Sequence, residues 1–361
     1  MKKVLVVFTN PFSYNDGATC VMLNYFRNLS LEGIRIDFAG HNDADDELIK
    51  EIHHKGSQYY NIGNRSTVIS YFFNLYKLLM HYDVLHVNGN SATTSIELLA
   101  GVLARTRVRI VHIHNSKNDH PLIHKLLLPF FKLSYNKGLA CSTLAGDWIF
   151  GAGKFLVLKN SIDIYKFKFS LEARKTVRKS LKIQDDFIVL GHVGMFNEQK
   201  NHHKILMVFK AFLSKCPNSR LLLVGDGVLM DEISKEIEKI NIGKSVIMTG
   251  VRTDIPRLLS AMDIFIFPSK WEGLGLAVIE AQASGLPCLL SDRIPRDVYI
   301  SDNMKSAALE TSSEDWANML VDMAVEDRDT QSAHNIEKIN NAGYNIVTEA
   351  GKLKDIYLDI N

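Results

Sequence analysis

Two glutamates and two glycines lie close together in the segment PSKWEGLGLAVIEAQASGLP, residues 268–287. Gly273 and Gly275 let a backbone approach a ligand closely and leave free amides at a helix start, where the helix dipole favours an anion. The carboxylates of Glu272 and Glu280 are acceptors for hydroxyl groups, as in a sugar and a ribose. The alternative is a loop glutamate and a solvated helix glutamate without function. Because a buried strand precedes the two glutamates and glycines lie between them, the segment favours a binding site for a ligand with both phosphate and hydroxyl groups over this alternative.

The elements around this segment predict where the ligand lies. A buried apolar strand ends at Pro268, and a helix is expected over 276–283. Because ligands of open α/β sheets bind at the carboxyl ends of strands, the loop between these elements is at the binding edge. Short apolar runs alternate with helical stretches in the first half of the chain, and the same rhythm starts afresh near Phe187. The predicted fold is α/β, with two Rossmann-like domains facing across a cleft.

The domain boundaries follow from the same pattern. Residues 1–165 are predicted to form the first domain, and 187–344 the second. The polar, charged stretch 166–186 lacks a strand signal and is interpreted as the linker. A C-terminal helix at about 345–361 is expected to pack back on the first domain.

Composition excludes several classes of protein. The chain has 361 residues, 46% hydrophobic and 23% charged, which is ordinary for globular domains and argues against disorder, collagen or coiled coil. A net charge of +2 gives no sign of a nucleic-acid binder. The four cysteines are far apart and indicate buried thiols in a reducing cytosol. The first apolar run is too short for a signal peptide and no spanning segment is visible, so a cytoplasmic protein is expected.

The motifs resemble those of the retaining glycosyltransferases of family GT4, which have the GT-B fold. Within this family, the motifs resemble most those of the bacterial enzymes that build capsular polysaccharides and exopolysaccharides. The E-x7-E motif of the family reads EGLGLAVIE at 272–280. Further family features follow in order: HIHN at 112–115, ACSTLAGDWIFG at 140–151, LKNSID at 158–163, HVGMFNEQKNH at 192–202, LLLVGDG at 221–227, GVRTDIP at 250–256 and AMDIFIFPS at 261–269.

The resemblance implies roles for the residues of the E-x7-E segment. Glu272 would contact the hydroxyl groups of the donor sugar, and Glu280 the nucleotide ribose. The amides of Leu274, Gly275 and Leu276 would face the diphosphate.

Further site residues are implied on other loops. Lys200 matches the family's diphosphate lysine, although a solvated surface lysine is the plain alternative. Arg252 stands where the family reads the base mostly through backbone, so its side chain could be structural only. His114 matches a histidine beside the donor sugar. Gly17 matches a glycine that lets the first loop approach the ligands.

Three positions depart from the family pattern. Met195 stands where the family usually has an arginine on the diphosphate, and methionine cannot replace that fork of donors. The usual glycine pair reads Asp16-Gly17, and the usual Asn-Gly reads Asn160-Ser161. These departures predict weaker donor binding, a different donor or a degenerate enzyme.

No metal or other cofactor is expected. His112, His114 and His120 could form a metal site, but no carboxylate triad supports it and the family needs no metal. His112 is instead expected to be a packed core histidine.

The basic and apolar segment 117–137 predicts either contact with an anionic membrane or a core helix with snorkelling lysines. Composition alone slightly favours the core helix.

The leading hypothesis is transfer of a sugar from a nucleotide-diphosphate donor, with UDP favoured, to a lipid-linked glycan with retention of configuration. A nucleotide-sugar epimerase on the same fold, or a non-catalytic transferase subunit, are the alternatives. A dinucleotide oxidoreductase is disfavoured, because no GxGxxG follows the first strand.

Overall fold

The chain folds as two α/β units. The structure is a computed structural model and describes residues 1–14, 16–41, 44–114, 121–323 and 327–359. The first unit comprises 1–161 together with 346–361, and the second comprises 162–345.

The first unit is built on a parallel sheet of seven strands in the order β3-β2-β1-β4-β5-β6-β7. The first strand, inside this sheet, reads VLVVF from Val4, and these side chains are at most 1% exposed because helices cover both faces. The strands are β1 (Lys2–Phe8), β2 (Ile34–Gly40), β3 (Tyr59–Asn61), β4 (Val84–Gly89), β5 (Val108–Ile113), β6 (Lys137–Ala140) and β7 (Leu156–Val157).

Helices cross over between these strands. They are α1 (Gly17–Asn28), α2 (Asp46–His54), α3 (Val68–Leu79), α4 (Ser95–Leu103), α5 (Pro121–Ser134) and α6 (Thr143–Phe150), with a 3-10 turn at Ala92–Thr94. One core cluster holds the inner sides of α1 and α2, and the other those of α3 to α6. The two groups of helices therefore cover opposite faces of the sheet.

The second unit repeats the arrangement with a parallel sheet of six strands in the order β10-β9-β8-β11-β12-β13. The chain leaves the centre of this sheet in both directions, as in a Rossmann fold, so its switch point lies between β8 and β11. The strands are β8 (Ile188–Val193), β9 (Ser219–Val224), β10 (Val246–Met248), β11 (Ile264–Phe267), β12 (Cys288–Ser291) and β13 (Met304–Ala307). The helices are α7 (Leu171–Ser180), α8 (His202–Lys215), α9 (Met230–Lys239), α10 (Ile255–Ala261), α11 (Leu276–Ala283), α12 (Ser313–Val321) and α13 (Arg328–Asn341), with 3-10 turns at Gly243–Ser245 and Arg296–Val298.

The segment 166–186, predicted to be a linker, instead folds within the second unit. Helix α7 packs against α10. The guanidinium of Arg178 is buried and donates to Asp263 Oδ2 at 2.5 Å and to the carbonyl of Ala261 at 3.0 Å. A highly charged helix looks like a linker in composition, but one buried arginine ties it to the sheet.

The last helix, α14 (Ile346–Leu358), completes the first unit by packing on α1 and β1. The ring of Tyr357 is fully buried, and its hydroxyl is 2.7 Å from Nδ1 of His86 on β4. The chain thus leaves the first unit after Ser161, where the sequence placed the boundary at 165, and re-enters it at Ile346, where the sequence placed the returning helix at about 345.

Candidate active site

An ion pair joins the two loops at the switch point of the second sheet. Lys200 lies on the loop after β8, and Glu272 lies on the loop after β11. Lys200 Nζ is 2.6 Å from Glu272 Oε1, and the two side chains are only 16% and 6% exposed. A close pair withdrawn from water interacts far more strongly than one at the surface.

Backbone contacts hold these two loops together. The amide of Lys270 donates to the carbonyl of Gln199 at 2.8 Å, and the side chain of Asn201 donates to the carbonyl of Pro268 at 3.2 Å. Asn201 itself has a φ of 57°, a left-handed conformation that asparagine tolerates, and begins α8. The positions of Lys200 and Glu272 are therefore set by the backbone as well as by their own contact.

Aromatic and imidazole rings support the lysine. Lys200 Nζ lies 4.8 Å from the centre of the Phe267 ring, within range of a cation–π interaction. His192 is fully buried, and its Nδ1 donates to the carbonyl of Ile266 at 2.9 Å. Burial lowers the pKa of His192 well below its ordinary value, and the neighbouring His202 and Lys200 lower it further. His192 is thus neutral and adds no second positive charge beside the lysine.

Gly194 has a steric reason to be glycine. A Cβ there would lie 2.9 Å from His192 Nε2 and 3.3 Å from the side-chain carbons Cδ and Cε of Lys200. The absence of a side chain at Gly194 thus leaves room for both the lysine and the histidine.

The amino terminus of α11 lies on the same loop as Glu272. Gly275 is its N-cap, with φ 91° and ψ 57°, a conformation that favours glycine. Within the described residues, no side chain caps this terminus. The first amides of the helix thus point away from the helix without an internal acceptor, as an anion site requires.

Unlike Gly275, Gly273 occupies a position where neither the backbone conformation nor the packing requires a glycine. A Cβ at Gly273 would meet no atom within 4 Å, and its φ is not positive. A glycine in open space beside an uncapped helix end is consistent with the predicted approach of a ligand.

Glu280 lies one turn into α11, on the face that follows Leu276. It is half-buried, and burial raises the pKa of its carboxyl to about 7. Among the described residues, no hydrogen-bond or ion-pair partner faces this carboxylate. A poorly solvated acid without a partner is a strong acceptor for the hydroxyl groups of a ligand.

Met195 and Arg252 lie on two loops of this sheet whose strands, β8 and β10, are separated by β9. Met195 follows β8 and is 52% exposed. Arg252 follows β10 and forms a two-pronged pair with Asp254, with both N···O distances 2.8 Å. Its guanidinium is therefore engaged next to the start of α10.

His114 follows β5 in the first unit. Its Nε2 is 2.9 Å from Oδ1 of Asn88, at the end of the neighbouring strand β4. Burial lowers the pKa of His114 to about 4, against a smaller opposing effect of the Asp16 charge. His114 is therefore a neutral imidazole at pH 7.

Gly17 is the first residue of α1, directly after its N-cap Asp16. A Cβ at Gly17 would meet nothing within 4 Å, so the protein itself leaves room for a side chain there.

His112 is buried in the sheet as expected, with its ring 4.1 Å from that of His114. Burial lowers its pKa well below the ordinary value. No group of three metal-ligating side chains occurs among the residues that the structure describes. His120, the third histidine considered for a metal, lies outside those residues.

Sequence reasoning missed two residues that hold the predicted ones in place, Asn88 and His192. Each occupies the carboxyl-terminal half of a strand, in HVNGN and LGHVG. A polar side chain inside an otherwise apolar strand is the signal that could have found them.

Comparisons with known proteins agree with this arrangement. A model of the family "Glycosyl transferases group 1" matches residues 173–342, nearly the whole second unit. EpsF of Bacillus subtilis (strain 168), whose name places it among the glycosyltransferases, is 28% identical over 373 residues, or 99% of this chain and 96% of that protein. The UDP-Gal:alpha-D-GlcNAc-diphosphoundecaprenol alpha-1,3-galactosyltransferase of Escherichia coli is 29% identical over 79% of this chain and 78% of its own length.

Solved structures show the same fold. The crystal structure of Anabaena Alr3699/HepE in complex with UDP aligns over 100% of both chains with a TM-score of 0.79 at 18% identity. A complex of the same protein with UDP-glucose aligns with a TM-score of 0.76. The predicted family resemblance and the predicted fold class are thereby confirmed: the chain is a glycosyltransferase with the two-domain α/β GT-B fold, and its second unit matches the group 1 family.

Proposed function

We propose that this chain is a retaining GT4-type glycosyltransferase that moves a hexose from a UDP-linked donor to a lipid-linked glycan. Its product would enter a capsular polysaccharide, an exopolysaccharide or a related surface glycan. The observation that carries the proposal is the buried Lys200–Glu272 pair, 2.6 Å apart, on the loop that leads into the uncapped start of α11. The names of the E. coli relative and of the HepE complexes support a UDP-linked donor.

The donor diphosphate is assigned to the start of α11. The amides of Leu274, Gly275 and Leu276 would donate to its oxygens, in line with the helix dipole. The ammonium of Lys200 would turn from Glu272 to the diphosphate and balance the charge that grows there during the reaction. Glu272, released from the lysine, would accept from the sugar hydroxyl groups.

The nucleoside is assigned to the other side of the helix start. Glu280 would accept from the ribose hydroxyl groups, for which its lack of a partner leaves it available. Arg252 is proposed to shape the base site through its backbone, because its side chain is held by Asp254. Met195 offers no charge to the diphosphate, so Lys200 carries that role without the family's arginine.

In the first unit, His114 is proposed to contact the donor sugar. Its neutral imidazole, held by Asn88, can exchange one hydrogen bond with a hydroxyl group without bringing a charge near the reacting carbon. Gly17 is proposed to let the α1 terminus approach donor and acceptor, since its Cβ position is empty.

The reaction balances without a metal or another cofactor. The bond between the anomeric carbon and the diphosphate oxygen breaks, and the acceptor oxygen bonds to the same carbon from the same face. The acceptor proton passes to an oxygen of the departing diphosphate, which acts as the base. The protein then contributes positioning and charge stabilisation.

The acceptor is proposed to be lipid-linked, which implies work at a membrane surface. The sequence left open whether the segment 117–137 contacts such a surface or forms a core helix, and its residues 117–120 lie outside the described part of the chain. Among the residues that are described, no helix combines the length and apolarity needed to cross a bilayer.

The test is a donor screen followed by product analysis. Nucleotide sugars are ranked by the rise in melting temperature, and the best donor is incubated with a lipid-linked acceptor. We expect a new glycoside with the anomeric configuration of the donor, assigned by NMR. An inverted product contradicts the retaining mechanism.

The same assay separates the alternatives. A nucleotide-sugar epimerase would release an altered sugar from donor alone. A non-catalytic subunit would leave every donor unchanged until a partner transferase is added. Either result overturns the proposed transfer.

A further inference from the structure

Helices α3, α4 and α5 carry an unusual share of the exposed apolar side chains. Of the 24 large apolar side chains that are exposed in the described structure, ten lie on these three helices, and an eleventh, Met80, is the C-cap of α3. On α5, four of them form one stripe at helical spacing: Leu122, Leu126, Phe130 and Leu133. Leu122, Leu126 and Leu133 are 84%, 71% and 82% exposed.

Helix α3 repeats this spacing. Ile69, Phe73 and Met80 are exposed, and Lys77 occupies the position that Phe130 has on α5. Helix α4 packs against both α3 and α5 and exposes only its last residues, Val102 and Leu103. The three helices cover the same face of the first sheet, so these side chains belong to one surface.

The charges on this surface have one sign. Lys77, Arg105, Lys125 and Lys132 are exposed, and within the described residues none of them has an ion-pair partner. The single acid on the three helices is Glu97, which is fully buried and paired with Arg65 at 2.8 Å. Lys137 does not belong to this set, because Asp359 holds it at 2.7 Å.

The sequence left open whether the α5 segment is a core helix. The structure shows a helix with one buried side and one exposed side. Phe131 and Ser134 are buried against the sheet, while the apolar stripe faces away from it. Packing within the unit therefore accounts for only part of the apolar side chains on α5. An exposed apolar patch of this extent marks an interaction surface.

The geometry points to docking of this surface on an anionic lipid bilayer, with the apolar stripes of α3 and α5 below the headgroups and the four cations at headgroup level. We define the surface by the exposed residues of α3, the end of α4, and α5, and call it the apolar–basic face. The inference deepens the proposed function and rests on it for the lipid-linked acceptor. It places membrane contact on three helices rather than on one segment.

The positive charge of the apolar–basic face favours an anionic bilayer over a second copy of this chain. A second copy of this chain would bring the same four cations against themselves, which costs energy without acids to neutralise them. An anionic bilayer neutralises each cation and also accepts the apolar stripes.

The experiment measures vesicle binding of the full chain without donor or acceptor. Vesicles of phosphatidylcholine alone are compared with vesicles that also contain phosphatidylglycerol, at low and high salt. We expect binding only to the anionic vesicles and its weakening by salt. Lys125→Gln with Lys132→Gln should weaken binding about thirty-fold, since each surface cation contributes a factor of about five.

Matched variants control for charge and hydrophobicity. Lys175→Gln with Lys179→Gln on α7 removes two exposed cations elsewhere and should leave binding unchanged. Leu126→Ser with Leu133→Ser should weaken binding at least about tenfold. Val347→Ser with Met207→Ser, at exposed apolar positions outside the face, should not.

Three outcomes overturn the inference. The first is that the wild-type protein does not bind anionic vesicles at low salt, and the second is that the double lysine variants of α5 and α7 bind these vesicles equally well. The third is a dimer in solution that Leu126→Ser dissociates. Transfer to a water-soluble acceptor separates this surface from the proposed function. If transfer persists while vesicle binding fails, only the docking surface is wrong. If binding persists while transfer fails, only the proposed function is wrong.

Discussion

The two sheets share one topology but present different chemistry at their strand ends. In the second unit, the switch point holds a buried ion pair, Lys200–Glu272, and an uncapped helix terminus. In the first unit, the corresponding edge holds a neutral histidine, His114, bonded to Asn88. One fold thus carries a charged site in one unit and a neutral polar site in the other.

The difference follows from what each edge has to meet in the proposed reaction. A diphosphate demands a cation and free amides, whereas a sugar hydroxyl demands neutral hydrogen-bonding groups. Substitutions at the second unit should therefore affect donor binding and chemistry more strongly than substitutions at the first.

The largest effect is expected at the ion pair. Lys200→Ala and Glu272→Ala should each lower the rate of transfer by about 100- to 1,000-fold, because each removes a group proposed to act on the reacting donor. The double variant should lose little more than either single variant, since the two side chains act together. Steady-state transfer assays measure all three.

A matched control exists on the same two loops. Lys270 pairs with Glu198 across them, but this pair is exposed, with side chains 37% and 66% accessible. Lys270→Ala should change transfer less than about twofold. A loss equal to that of Lys200→Ala would show that the loops matter only as a structural unit.

A smaller loss is expected in the first unit. His114→Ala should slow transfer by about 10- to 100-fold through one lost neutral hydrogen bond. Because burial holds the pKa of His114 at about 4, activity should not fall with its protonation until the pH approaches that value. An activity loss centred near pH 6.5 that disappears in His114→Ala would contradict this account.

Adding a positive charge at Met195 should increase the difference between the charged site of the second unit and the neutral site of the first. Met195→Arg should strengthen UDP-donor binding by about tenfold, because a guanidinium on the diphosphate restores a charge-assisted contact. Isothermal titration measures the change. Unchanged or weaker binding would count against placing the diphosphate beside this loop.

The smallest expected change in binding comes with a gain in stability. Glu280→Gln should weaken donor binding by about five- to tenfold, since an amide is a poorer acceptor for two ribose hydroxyl groups. In the free protein, the pKa of Glu280 is raised from 4.5 to about 7, so its burial costs stability as pH rises from about 4.5 to about 7. The variant lacks this group and should melt higher than wild type at pH 8, with little difference at pH 4. Thermal unfolding across pH tests this, and a melting temperature lowered at pH 8 would refute it.

The strands and α11 could be predicted from sequence because their apolar runs and glycine boundaries are local features. Helix α11 begins and ends at Leu276 and Ala283, as the pattern indicates. The short strands β3, β6, β7 and β13 lack a sustained apolar run, so pairing with their neighbours in the sheet defines them. Likewise, nothing local reveals that Arg178 is buried against Asp263, which is why α7 resembled a linker.

The candidate site was predictable in its residues but not in its contacts. The motif places Glu272 and Lys200 in the same site through family resemblance, yet their ion pair depends on two loops that are 72 residues apart in sequence. The sequence left open whether the side chain of Arg252 has a structural role only. In the structure this side chain pairs with Asp254, two residues further along the chain. The raised pKa of Glu280 comes from burial, which no single residue encodes.

The position of α14 imposes an order on biosynthesis. Tyr357 and Leu353 fill the core of the first unit, but a ribosome adds them only after the whole of 162–345 has been synthesised. The second unit is a continuous stretch, whereas the first must wait for its last helix with an open apolar groove over β1 and α1. A nascent chain halted before residue 346 would therefore expose that groove to chaperones and proteases.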